Sequence, residues 1–252
     1  MFEIFILSLI QGVTEFLPIS SSSHLIIANK FLNLSQKNLL TDISLHIGSF
    51  LAVLTFFRQE IFNFLQYKKL FYLIFLSSLP VMIFGFLFIK FDLVDIFRNL
   101  KTIGWTTFGF GIFLYLSDKF KMEKKIETDF NFGSAMFIGI VHCLSIIPGV
   151  SRSGIAITAA RFLNFDRHES AKISFLLSIP TLFAVSCYGF FNLYQSKVYE
   201  VTSLNLLSII GSFIISYLTI KYFLKFIKKF SLLVFVIYRL IIGIILLLYA
   251  YL

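Results

Sequence analysis

Three stretches of the chain, residues 70–89, 173–196 and 201–220, contain no Asp, Glu, Lys or Arg. Each matches the roughly 20 apolar residues a helix needs to cross a bilayer. Lipid offers backbone groups no hydrogen-bond partner, so continuous apolar runs of this length must be helical. Composition agrees. The 252 residues are 58% hydrophobic and 14% charged, against about 25% charged in soluble domains. Residues 43–57, 102–117 and 232–252 read as further spans, making about six. The expected fold is an all-α polytopic membrane protein, one membrane domain over residues 1–252. The first apolar stretch does not read as a cleavable signal, because it lacks a basic leader and contains Glu15 and Pro18.

Two apolar stretches are interrupted. Residues 4–28 contain Gln11-Gly-Val-Thr-Glu15-Phe-Leu-Pro18-Ile-Ser20-Ser21-Ser22-Ser23-His24. Residues 130–161 contain His142-Cys-Leu-Ser145-Ile-Ile-Pro148-Gly149-Val-Ser151-Arg152-Ser153-Gly154. Proline removes a backbone donor and breaks a helix. Broken helices at membrane depth persist only where they are buried or line a cavity. Each stretch therefore reads as a re-entrant pair of short helices, entering and leaving on one side. With six true spans between and around them, 14 of the 22 Lys and Arg fall on one side and 6 on the other. Arg152 and Arg239 remain at membrane depth. The positive-inside rule places the richer side in the cytoplasm and both termini outside. The net charge of +9 is thus a topology signal, not a nucleic-acid one.

The first break then opens outward and the second inward. Pro18 aligns with Pro148, Ser21 with Ser151 and Ser23 with Ser153; after one gap, Lys30-Phe31-Leu32 aligns with Arg161-Phe162-Leu163. This predicts inverted repeats over about 1–120 and 121–252, with a site where the two breaks meet. Ser145 aligns with Glu15, so the second half lacks the acid. Cys143 and Cys187, both in apolar runs, read as unpaired thiols.

Charged side chains inside a membrane are costly and mark working sites. Each serine-rich segment should open a helix, whose free N–H groups and positive dipole end suit phosphate. Ser20, Ser22, Ser151, Ser153 and Gly154 are the candidate phosphate binders, and Arg152 adds a planar fork for phosphate oxygens. Glu15 and His24 add acid–base capacity. Gln11 and Glu15, four apart on one helix face, form a candidate site for a divalent cation, Mg²⁺ or Ca²⁺. Arg239 lies mid-span and calls for a carboxylate partner, Glu15 or Asp42. His46 and His142 fit a functional and an interior role equally well. The phenylalanine stripes read as lipid-facing or core surface.

The paired motifs resemble the two signatures of the bacitracin-resistance family of undecaprenyl-diphosphate phosphatases. Leu45-His46-Ile-Gly48-Ser-Phe-Leu-Ala52 and Tyr238-Arg239 extend the resemblance along nearly the whole chain. It implies hydrolysis of undecaprenyl diphosphate to the monophosphate, recycling the carrier lipid for cell-wall (peptidoglycan) synthesis and giving bacitracin resistance. It also implies a multi-pass protein of the cell (plasma or inner) membrane with its site open to the extracytoplasmic side. The family's acidic motif falls on Gln11 and Glu15, its candidate nucleophile on Ser21 and its histidine on His24. The family often has Thr-Gly before that histidine; here Ser22-Ser23 stand there. The implied partner is a polyprenyl diphosphate lipid, and a homodimer is one possible assembly. The alternative is a lipid-diphosphate transporter or flippase, since inverted repeats with broken helices also serve alternating access. A third class of membrane phosphatase is disfavoured, because no histidine stands four residues after Arg152 and its upstream Lys-x6-Arg-Pro is missing.

Overall fold

The computed structural model describes residues 1–32, 39–63, 66–93, 95–119, 123–196 and 202–252. Three basic residues used in the charge count, Lys37, Lys121 and Lys197, lie outside these. Among the described residues the chain is helical: α1 (Phe2–Thr14), α2 (Ser21–Leu32), α3 (Leu39–Phe56), α4 (Arg58–Phe62), α5 (Lys68–Lys90), α6 (Leu100–Asp118), α7 (Ile126–Asp129), α8 (Phe132–His142), α9 (Arg152–Phe162), α10 (Arg167–Ser196), α11 (Ser203–Ile227) and α12 (Leu233–Tyr251). Helices α3, α5, α10, α11 and α12 are long and apolar enough to cross a membrane. The sixth expected span, α6, is 19 residues long but is not apolar enough to count with those five. It carries Lys101 and Asp118 at its ends and packs along α12.

The broken stretches are short helix pairs, as expected. Helices α1 and α2 have 13 and 12 residues, and α8 and α9 have 11 each. None alone spans a hydrocarbon layer of about 30 Å. Helix α1 lies along α11, with Ser8 against Gly211 and Gly12 against Ile215. Helices α8 and α9 return to one face, where Phe130 packs on Phe165 at 6.1 Å between ring centroids.

That face is tied by Asp118. Its carboxylate accepts from Arg161 at 3.1 Å, from Arg167 at 2.7 and 3.0 Å, and from the Leu232 backbone N–H at 3.0 Å. The ends of α6 and α9 and the starts of α10 and α12 therefore share one side, the side expected to be rich in basic residues. The opposite side gathers Lys30, Arg98 and Lys101 around a cavity of about 500 Å³ with Tyr249.

Helix packing depends on small residues. A Cβ at Gly48 of α3 would run into Ser212 and the Ile209 carbonyl of α11. Close backbone approach is the usual basis of helix association in lipid, where apolar burial alone gives little. Helix α9 shows the same logic. It has low hydrophobicity, yet every residue from Ser153 to Arg161 is buried. Alanines, serine and glycine let it sit among larger helices. Phe75, Phe84, Phe86, Phe113 and Phe190 are exposed, the surface left for lipid.

Arg239 departs from expectation. It is 1% exposed and its partners are carbonyls, not Glu15 or Asp42. It donates to Pro18 O and Val150 O, both at 3.1 Å, to Gly149 O at 2.9 Å and to Thr107 O at 3.3 Å. Two broken helices leave carbonyls with no intrahelical donor, and lipid supplies none. The guanidinium's five N–H groups meet that need at one point. Ser153 Oγ adds a link, donating to Leu17 O at 2.7 Å. Arg239→Met should leave the Pro18, Gly149 and Val150 carbonyls without this donor, at about 1–3 kcal/mol each. A fall in thermal midpoint of many degrees, measured in detergent, is the expected outcome; an unchanged midpoint would remove Arg239 as the link between the breaks.

Candidate active site

Glu15 stands at the C-terminal end of α1 and is 5% exposed. Its neighbour Phe16 is 1% exposed and packs edge-on against Phe175 of α10, at 5.3 Å between centroids, which fixes the end of the helix. Three side chains converge on the carboxylate. Ser21 Oγ donates to Oε2 at 2.6 Å, Gln11 Nε2 to the same oxygen at 3.0 Å, and Arg152 Nη2 to Oε1 at 2.5 Å. Ser21 belongs to the first break and Arg152 to the second, so one carboxylate joins both. Arg152 also reaches Thr181 Oγ1 of α10 at 3.3 Å. Its side chain is 21% exposed, so the guanidinium lies at an accessible edge of the cluster.

The two breaks share local geometry. Ser20 and Ser151 both have positive φ, 77° and 73°. A left-handed residue there lets the chain reverse from break to helix, and α2 and α9 start at the next residue. Ser151 Oγ caps α9 by accepting from Gly154 N at 3.1 Å. Ser20 Oγ instead meets Ser23 Oγ at 3.1 Å and Ser22 Oγ at 3.3 Å. Ser20 and Ser151, which share this conformation, are 131 apart, against 130 for Pro18 and Pro148. The gap falls at the break, where Gly149 is the additional residue. Its φ of 95° and its approach to Thr106 exclude a side chain.

His24 is half-buried. Its Nδ1 lies 2.6 Å from Ser20 O, an acceptor only, so Nδ1 carries the proton. Nε2, 2.6 Å from Tyr238 Oη, then accepts from that hydroxyl. Ser22 is exposed, Ser21 half-buried, and Ser151 and Ser153 are buried. The cluster is thus reached from the first break. Ser151, Ser153 and Gly154 spend their polar groups on one another and on Leu17.

Sequence reasoning left His46 open. It belongs to this cluster, its Nδ1 3.1 Å from Gln11 Nε2. The amide thus bridges Glu15 and His46, and Gln11 Oε1 is left buried with no partner. Thr181 was missed, since a threonine mid-helix carries no distinguishing pattern.

Among the described residues no three His, Cys, Asp or Glu side chains come together as a metal site. The unpartnered Gln11 Oε1 beside Glu15 nevertheless suits a hard cation that takes few protein oxygens and the rest from substrate phosphate, the usual Mg²⁺ arrangement.

The chain matches the family described as Bacitracin resistance protein BacA over residues 4–245. It is 48% identical over 250 residues to the undecaprenyl-diphosphatase of Pelagibacter ubique (strain HTCC1062), covering 99% of this chain and 97% of that protein. It is 39% identical over 256 residues to the undecaprenyl-diphosphatase of Aliivibrio salmonicida (strain LFI1238), covering 96% and 95%. With a carboxylate held between two proline-broken helix pairs and this similarity along its whole length, the chain belongs to the BacA family of bacitracin resistance proteins.

Proposed function

We propose that the protein hydrolyses undecaprenyl diphosphate to undecaprenyl phosphate and inorganic phosphate. The carrying observation is the carboxylate of Glu15, held at once by Ser21 and Arg152 from the two breaks. This is a hydrolase site in a multi-pass membrane protein, and the transporter alternative finds no support in it.

The diphosphate enters with its terminal phosphate beside Arg152, which exchanges Glu15 for phosphate oxygens. Glu15, relieved of its cation, takes the Ser21 proton. Ser21 Oγ then forms a bond to the terminal phosphorus as the bridging P–O bond breaks, and undecaprenyl phosphate leaves with that electron pair. Serine needs such an adjacent base to act as nucleophile. Water then attacks the phosphoserine as the Ser21 Oγ–P bond breaks: its proton passes to His24 Nε2, in exchange for the Tyr238 hydroxyl, Glu15 returns the first proton to Ser21 Oγ, and inorganic phosphate leaves. Arg152 and the N-terminal ends of α2 and α9 stabilise charge on the phosphate oxygens. Ser20, Ser22, Ser151, Ser153 and Gly154 shape that cradle. Gln11 and Glu15 would hold a divalent cation, Mg²⁺ or Ca²⁺, which would neutralise phosphate charge.

The two halves form an inverted repeat, about 1–120 and 121–252, in which the first half supplies chemistry and the second clamps. The site opens to the extracytoplasmic face of the cytoplasmic membrane. Access from the first break and the 14-to-6 split of basic residues support this side. A homodimer would leave each site complete within one chain.

Purified protein given a polyprenyl diphosphate should release one phosphate per lipid and leave the monophosphate. Binding without release, with any divalent ion, would overturn the function. Chelator should suppress turnover. Gln11→Glu should lower the cation concentration needed for half-maximal rate, because it adds a second carboxylate to the oxygen pair; an unchanged cation dependence would remove Gln11 from the cation site.

A further inference from the structure

His24 is held at both ring nitrogens. Nδ1 donates to Ser20 O and Nε2 accepts from Tyr238 Oη, each at 2.6 Å. The two rings also stack, 5.7 Å between centroids and 12° from parallel. Ser20 stands in the first break, whereas Tyr238 lies on α12, 214 residues from His24. Arg239, the residue after Tyr238, ties the two partners together by donating to the carbonyl of Pro18, two residues before Ser20. The contacts from His24 through Ser20 and Pro18 to Arg239 and Tyr238 therefore close into a ring. Beyond it, Phe31 of α2 packs on Tyr249 of α12 at 5.2 Å between centroids. Tyrosines near helix ends serve as anchors at a membrane surface, and Tyr249 and Tyr251 fit that plainer role. Tyr238 instead lies inside α12, beside the residue that bridges the two breaks, and its hydroxyl is spent on His24.

We propose that Tyr238 is a positioning residue for hydrolysis of the phosphoserine, its hydroxyl keeping His24 Nε2 unprotonated and aimed at the place the attacking water takes. This rests on the phosphatase function above. Which imidazole nitrogen carries the proton is set by the hydrogen bonds the ring makes. A carbonyl at Nδ1 and a hydroxyl donor at Nε2 leave the neutral ring one tautomer. A phenol both donates and accepts. Before the attack it donates to Nε2. Once Nε2 has taken the water's proton, Nε2–H can donate to the same oxygen, so the imidazolium is held in turn. The stacked ring keeps the plane of the imidazole while hydroxyl and water change places.

The test follows Ser21 through one turnover. Full-length protein in detergent is mixed with a polyprenyl diphosphate and quenched at intervals, and phosphate on Ser21 is measured by mass spectrometry. Tyr238→Phe keeps the ring and its stacking. It should form phosphoserine at the wild-type rate and lose it about tenfold more slowly, the effect of one hydrogen bond. Only the second step slows, so kcat/KM should stay within about twofold of wild type. Loss of phosphoserine at the wild-type rate would overturn the proposal. So would slower formation with a matching fall in kcat/KM, which would make Tyr238 a packing residue. A wild type that turns over lipid without phosphoserine would overturn it too, since Tyr238 would have no second step to serve. Protein with ¹⁵N-labelled histidine reads the contact without turnover. His24 should show a protonated Nδ1 and an unprotonated Nε2, and Tyr238→Phe should move the Nε2 signal and populate the other tautomer. A His24 spectrum unchanged by Tyr238→Phe, or a protonated Nε2 in neutral wild-type His24, would overturn the positioning role. Failure of wild type to turn over lipid, with these signals as expected, would count against the phosphatase function and leave the His24–Tyr238 contact standing.

Discussion

Glu15→Gln is expected to lower kcat/KM by about 10²–10³-fold, the usual cost of removing a charge contact made in the transition state. The substitution keeps the side chain's shape. It removes the base for Ser21 and the partner of Arg152, whose contact at 2.5 Å is the shortest in the cluster. Arg152→Ala should cost a similar factor by a different route, since it leaves phosphate charge without its fork. Steady-state rates on a polyprenyl diphosphate, with gel filtration to confirm folding, decide both. Activity within a few-fold of wild type in either variant removes that residue from the chemistry.

Ser21→Ala should also remove nearly all turnover. The hydroxyl is 2.6 Å from the carboxylate that would take its proton, and it opens α2 at the reachable side of the cluster. Direct attack by water activated by Glu15 and His24 is the competing route. Rapid quenching of wild type followed by mass spectrometry should find phosphate on Ser21. Substantial residual rate in Ser21→Ala, with no phosphoserine in wild type, would assign the attack to water.

Much of this was legible in the sequence, and the reasons are physical. Charge-free runs of about 20 residues have one outcome in lipid, so the spans were readable. Intramembrane charge is rare enough that Glu15 and Arg152 stood out on their own. Their meeting was less readable, because Glu15 contacts Ser21 six residues on but Arg152 137 residues on, and only three-dimensional closure brings the second. The shared left-handed conformation of Ser20 and Ser151 was not readable, since matching serines carry no information on φ. Arg239 was assigned a carboxylate because charge calls for charge. The pattern of carbonyls freed by two breaks becomes visible only when the breaks lie side by side. Threonine 181 and the Asp118 hub are ordinary residues in sequence and acquire roles from packing alone.

The central claim is that residues of both breaks act as one unit around Glu15. A double-mutant cycle on kcat/KM with Glu15→Gln, Arg152→Ala and the combined variant tests it most directly. If the two groups work together, the second substitution adds little to the first, and the combined variant is no worse than about the weaker single one. Losses that multiply, so that the combined variant falls by the product of the two single effects, would show independent roles and contradict a shared site.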